Sequence, residues 1–301
     1  MKTTSTKLLA LGVGAAALCA SALPAMATTY TEPGITCGAP AGFNPPPGLY
    51  FINLDSYGIG QTAAGGLGPS EELGVGVAAF AWVPGWNFLG ATYAASVALV
   101  GVEVGLHNTT FLRSPFNPDV NPIQLSWNFG NGFGISFGEH IYIPVREEIN
   151  GSASPAGVTS AASFEQRVAV SYIGNDWVLS ANGIIGIVTK DSAGGQSPDY
   201  ANLDLTIAHT FGKWELGVVA YGSWDIQTTA ENAAVGRGAT YGAGGLLGYN
   251  FGPVDLTLKL TDAFYNAGAF AFPKNDVRFW TTIVIPIWNP APPPRPVIAK
   301  Y

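Results

Sequence analysis

The chain is 301 residues long, with 20 acidic against 13 basic residues and only 11% charged residues, less than half the ~25% of a typical soluble domain. The net charge of −7 argues against nucleic acid as a partner, because phosphate binding wants a basic patch. So thin a charged surface argues against an ordinary soluble enzyme, and two cysteines, Cys19 and Cys37, make no disulfide-stapled scaffold.

Residues 1–27 read as a secretory signal: Lys2 and Lys7 start it, an apolar run follows, and Ala25-Met26-Ala27 is a small-x-small cleavage site. The run is shorter than the about 20 residues a spanning helix needs. Cys19 suggests a lipoprotein, but Leu18 stands where such a site wants a small residue. Cleavage leaves Cys37 as a lone thiol and makes the mature chain more acidic.

Residues 28–47 are a Pro/Gly-rich leader without periodicity, expected to be loosely attached. Composition leaves open whether the leader fills a lumen or hangs in the periplasm. From residue 48 the period becomes two. Strands are predicted at 48–56, 73–83, 88–104, 122–129, 133–144, 163–173, 177–189, 200–210, 214–228, 240–251, 254–264 and 276–288. That is twelve, an even number, followed by a Pro-rich tail at 289–301.

The clearest hairpin is 200–228. Asn202, Asp204 and Thr206 share one face, and Leu203, Leu205 and Ile207 the other. Tight connections such as Asn175-Asp176 and Gly212-Lys213 alternate with longer loops. Short–long alternation is the habit of an outer-membrane barrel, with brief periplasmic turns and longer outer loops. Trp86, Phe133, Trp177, Trp214 and Phe251 stand beside short turns, as an interfacial girdle would. The fold class is therefore all-β: a transmembrane antiparallel up-and-down barrel of about twelve strands over 48–288, in the bacterial outer membrane. Two places resist. Residues 88–102 are apolar without alternation, admitting a strand, a buried helix or a plug; β-favouring Thr92, Tyr93, Val97 and Val100 select the strand. The chain also continues past its last strand, so either Trp288 or Tyr301 is the final aromatic that assembly machinery reads.

Pro46-Pro47-Gly48-Leu49-Tyr50, Tyr142-Ile143-Pro144, Asp176-Trp177-Val178-Leu179-Ser180, Trp214-Glu215-Leu216-Gly217 running on to Gln227-Thr228, and Phe251-Gly252-Pro253 carry a resemblance in their order. The chain resembles the SphA-like proteins of the MetA-pathway phenol-degradation family. Pro144-Val145-Arg146 departs from that pattern, where a Pro-x-Gly turn is expected. The resemblance implies an outer-membrane channel or transporter that passively admits small hydrophobic or aromatic compounds. It implies no catalytic residues and does not fix the substrate.

His107, His140 and His209 are scattered, without the paired spacing that zinc wants, so no metal or cofactor is expected. An outer-membrane lipid hydrolase would need a serine beside an oriented histidine, and neither His107 nor His140 has one nearby in sequence. The expected lumen lining is Glu165, Arg167, Asp204, Glu215, Asp225, Lys259 and Arg278, because charges at membrane depth turn inward and pair. Tyr50, Tyr142, Tyr221 and Trp224 are candidate ring contacts for an apolar guest. The alternative to a conduit is a closed structural or surface-interaction barrel, stiffened by those charges. Expected partners are outer-membrane lipid, small hydrophobic or aromatic solutes and the barrel-assembly machinery. A monomer suffices.

Overall fold

The structure, a computed structural model, describes residues 29–61, 70–106, 110–144, 161–192, 194–230, 232–234, 236–268 and 275–290. The signal segment, His107, residues 145–160 between the strands predicted at 133–144 and 163–173, and the tail beyond Pro290 lie outside the described residues.

The strands are β1 (Gly48–Gln61), β2 (Ser70–Val83), β3 (Asn87–Phe88), β4 (Ala91–Leu106), β5 (Thr110–Pro115), β6 (Asp119–Asn128), β7 (Phe133–Tyr142), β8 (Ser163–Gly174), β9 (Trp177–Val188), β10 (Tyr200–Phe211), β11 (Trp214–Asp225), β12 (Ala239–Asn250), β13 (Asp255–Ala267) and β14 (Asp276–Trp288). β3 and β5 are short and pair with β4. The other twelve close an antiparallel ring in chain order. β1 bonds both β14 and β2, and β2 bonds β4. Closure leaves no raw strand edge in lipid.

Turn chemistry sets the register of the hairpins. Asn175 and Asp176 both take positive φ, 51° and 63°, between paired Gly174 and Trp177. Those angles belong to a two-residue turn whose twist matches the strands, and short polar side chains tolerate them best. Gly212, at φ 66°, opens the equivalent turn between Phe211 and Trp214.

The period-two faces separate as expected. Leu203, Leu205, Ile207, Leu216, Val218 and Leu260 are exposed on the outer wall, whereas Asn202, Asp204 and Thr206 are buried in the lumen. Trp86, Phe133, Trp177, Trp214 and Phe251 are all exposed at the short-turn end, as headgroup-level rings. The apolar stretch without alternation is β4. Val97 and Leu99 face outward while Ala94 and Ala98 are buried inward, so this strand is apolar on both sides.

Two expectations are corrected. The connection expected at 57–72, between the first two predicted strands, is shorter than the pattern suggests, because the β1–β2 ladder continues through Tyr57↔Gly74 and Ile59↔Glu72 to Gln61↔Ser70. Glycines there erased the alternation without ending the strands. The leader is also not loosely attached. It runs through the lumen, from Tyr30 packed near the long-loop end to Pro46, whose carbonyl accepts the Tyr50 hydroxyl at 2.7 Å. A Pro/Gly segment folded as successive turns (Cys37 N to Gly34 O 3.1 Å, Ala39 N to Thr36 O 3.2 Å) satisfies few of its own backbone groups. Buried backbone polar groups need partners, and the polar face of the wall supplies them.

Candidate functional site

The lumen has two unlike sides. On the polar side, wall residues grip the leader at successive levels. Near the long-loop end, Thr31 Oγ1 donates to Glu165 Oε2 at 2.8 Å and accepts from Arg167 Nη2 at 2.9 Å. Arg167 also pairs with Glu165 at 2.6 Å. Glu32 meets Arg278 at 2.6 Å and accepts from Ser56 at 2.9 Å, while Arg278 Nε donates to Asp276 at 2.8 Å. In the middle, Asp204 accepts the backbone N–H groups of Gly34 and Thr36 at 2.9 and 3.0 Å. Lys259 Nζ donates to the carbonyls of Gly34 and Cys37 at 2.9 and 2.8 Å and lies 4.5 Å above the Trp280 ring. Lower down, four serines bracket Ala41-Gly42: Ser126 and Ser136 donate to its carbonyls, and Ser171 and Ser180 accept its N–H groups. A Cβ on Gly42 would stand 2.7 Å from the wall backbone at Gly134 and Ser171, so only glycine fits this approach.

Five of the seven charges expected in the lumen, Glu165, Arg167, Asp204, Lys259 and Arg278, therefore converge on the leader. Glu215 is half-buried on the cavity lining at the short-turn end. Asp225 is buried, but ties down the connection to β12 by accepting from Asn232 at 2.9 Å and Gly238 N at 2.7 Å. Among the aromatics, Tyr50, Tyr142 and Tyr221 are buried inward. Trp224 is corrected: it is 36% exposed on the outer wall, one residue out of phase with buried Ser223 and Asp225. Sequence reasoning missed Trp280 and Tyr200, both fully buried. Parity would have found them, since Trp280 follows Arg278 by two residues and Tyr200 precedes Asn202 by two.

The opposite side of the lumen is apolar. A cavity of about 1080 Å³ lies against the leader; β1, β2 and β4 turn Leu54, Val75, Val77, Ala79, Ala81 and Val100 toward it, and polar residues such as Asp119, His140, Glu215 and Asp255 line other parts of it. The leader thus adheres to the hydrogen-bonding half of the wall and leaves the greasy half uncovered. Cys37, itself part of the leader, turns its thiol against the wall at the carbonyls of Leu205 and Ala220 and is buried there. Burial, with Asp204 adding to it, pushes its thiol well above the ordinary value.

His140 lies inside the lumen with both ring nitrogens engaged: Asn121 Nδ2 donates to Nε2 at 3.0 Å, leaving Nδ1–H for Asp119 at 2.8 Å. His209 is on the outer wall between Trp177 and Phe211. Among the described residues no group of three metal-ligating side chains comes together.

A family model described as "Putative MetA-pathway of phenol degradation" matches residues 55–269. No curated protein matches the chain. Among solved structures, the COG4313 outer membrane channel from Pseudomonas putida F1 superposes with a TM-score of 0.64 at 13% identity, covering 80% of this chain and 96% of that one. The β domain of the Bordetella autotransporter BrkA has a TM-score of 0.49 at 12% identity, covering 80% and 100%. The CymD monoaromatic hydrocarbon channel has 0.45 at 10% identity, covering 84% and 92%.

Proposed function

The chain belongs to that phenol-degradation family, and from this premise we propose that it is an outer-membrane conduit for passive entry of small hydrophobic or aromatic compounds, without covalent chemistry. The observation that carries the reading is the two-sided lumen. A polar wall bonded to the leader offers a hydrophilic solute little, because Glu165, Arg167, Asp204, Lys259 and Arg278 already spend their hydrogen bonds on the leader and on one another. The uncovered wall of Leu54, Val75, Val77, Ala79 and Val100 offers an apolar solute a surface at ~25 cal/mol per Å² buried. A cavity of about 1080 Å³ is ample for one monoaromatic ring, since drug-sized sites span ~300–1,000 Å³. The fold likeness to a protein described as an outer membrane channel agrees with this use.

The charges then serve to fix the leader. Pore width and wall chemistry decide what passes. The closed-barrel alternative is favoured by the density of contacts on the leader, which fills the polar half. Uptake into liposomes holding the refolded protein separates the two. A phenol-like solute entering faster than in protein-free liposomes, with no gain for a charged sugar, supports the conduit. No gain for either solute supports the closed barrel.

A further inference from the structure

Near the long-loop end of the lumen, the leader's own phenol sits in an aromatic niche. Tyr30 is edge-on to Phe116 at 5.5 Å between centroids, tilted on Tyr142 at 5.6 Å, and parallel to Tyr200 at 6.5 Å. Its hydroxyl donates to the Ala161 carbonyl at 3.2 Å. Apart from Tyr30, every member of this cluster belongs to the wall or its connections, and Val100 and Val102 pack against it. Those two valines also line the apolar cavity. The niche therefore opens onto the greasy half of the lumen.

From this geometry we infer that the niche is the entry subsite for a small phenol, and that Tyr30 occupies it in the solute's place. The inference rests on the conduit reading. A free phenol brings the same two features that seat Tyr30: a ring whose edge and face suit the three aromatic neighbours, and one hydroxyl donor for the carbonyl at the back. That carbonyl also accepts from Asn117 Nδ2 at 3.0 Å, so the hydroxyl supplies its second hydrogen bond, which a ring with a donor gains and a bare hydrocarbon does not. Exchange does not require expulsion of the leader. Thr31 is pinned separately by Glu165, Arg167 and Asn202, so the Tyr30 ring can leave alone. Because Tyr30 is tethered, it competes at an effective concentration on the order of millimolar. Occupancy by solute then rises only when phenol is abundant.

The test is titration of the refolded protein, in a ring-free detergent, with 4-fluorophenol followed by its fluorine resonance against protein-free micelles. Tyr30→Ala removes the competitor and is expected to tighten binding on the order of tenfold over wild type. Adding Phe116→Ala to that variant should cancel the gain. Equal affinity in Tyr30→Ala and wild type, both retaining heat-modifiable barrel mobility, overturns the inference. Liposome uptake of the same phenol separates the premise from the niche. Uptake without tighter binding in Tyr30→Ala sinks the niche and leaves the conduit, whereas tighter binding without uptake in either protein sinks the conduit.

Discussion

Asp204 and Lys259 hold one turn of the leader from opposite electrical ends. The carboxylate takes the N–H groups of Gly34 and Thr36, and the ammonium takes the carbonyls of Gly34 and Cys37. Both are almost fully buried. Deleting Asp204 leaves the Gly34 and Thr36 N–H groups without their acceptor, at a cost of about 1–3 kcal/mol for each that stays buried. Asp204→Ala should therefore unseat the middle of the leader while the barrel, held by its ladders, stays folded. Cys37, which closes that turn with its thiol against the wall, reports it. Maleimide labelling is expected to be slow in wild type and at least about tenfold faster in the variant. An unchanged rate would mean the clamp does not hold the leader.

The same thiol gives a pH dependence with a definite sign. Burial raises its value in the seated leader, so the seated state disfavours the thiolate. This contribution to seating is complete below the ordinary thiol value of ~8.5 and is lost as pH climbs from there toward the raised value. Labelling of wild type should stay slow at neutral pH and accelerate above about pH 9 more steeply than an exposed thiol does. A profile matching a free thiol would show that Cys37 is not buried in the protein in solution.

Gly34 has φ +88°, and a Cβ there would stand 2.7 Å from the Tyr221 ring. Left-handed backbone and a rigid ring oppose any side chain at once. Gly34→Ala is expected to release the leader about as strongly as Asp204→Ala. Susceptibility of the leader to added protease, read by N-terminal sequencing of the fragments, checks it. A leader as resistant as wild type would contradict the packing.

Most of the barrel was legible in the sequence because a strand with lipid on one face and paired polar groups on the other must alternate. Leu203, Leu205 and Ile207 against Asn202, Asp204 and Thr206 could mean little else. The leader was not legible, since its structure is borrowed. Residues 29–47 have no period of their own, and their partners, such as Asp204, Lys259 and Ser171, come from strands remote in sequence. The apolar half of the lumen does have a signal in the sequence, carried by two neighbouring strands together. β4 and β2 lack alternation because Ala98 and Val77 face a greasy cavity while Leu99 and Phe80 face lipid. Neighbouring strands apolar on both parities are the mark of an oily lumen, and neither strand shows it alone.

Parity also separates residues that composition lumps together. Trp224 is on the outer wall and Tyr221 is buried against the leader. Trp224→Ala should leave solute uptake within about twofold of wild type, since an outward ring at the interface anchors and does not line a path. A severalfold loss in flux with normal assembly would place the path outside the lumen.

The account turns on the uncovered apolar wall, and Val77→Asp probes it most directly by placing one carboxylate on the cavity lining without touching the leader's clamps. Uptake of a phenol-like solute into liposomes should exceed the protein-free control in wild type and fall at least severalfold toward that control in Val77→Asp. Heat-modifiable folding and slow Cys37 labelling should be unchanged. Equal uptake by wild type and Val77→Asp, both above the control, would contradict passage along this wall.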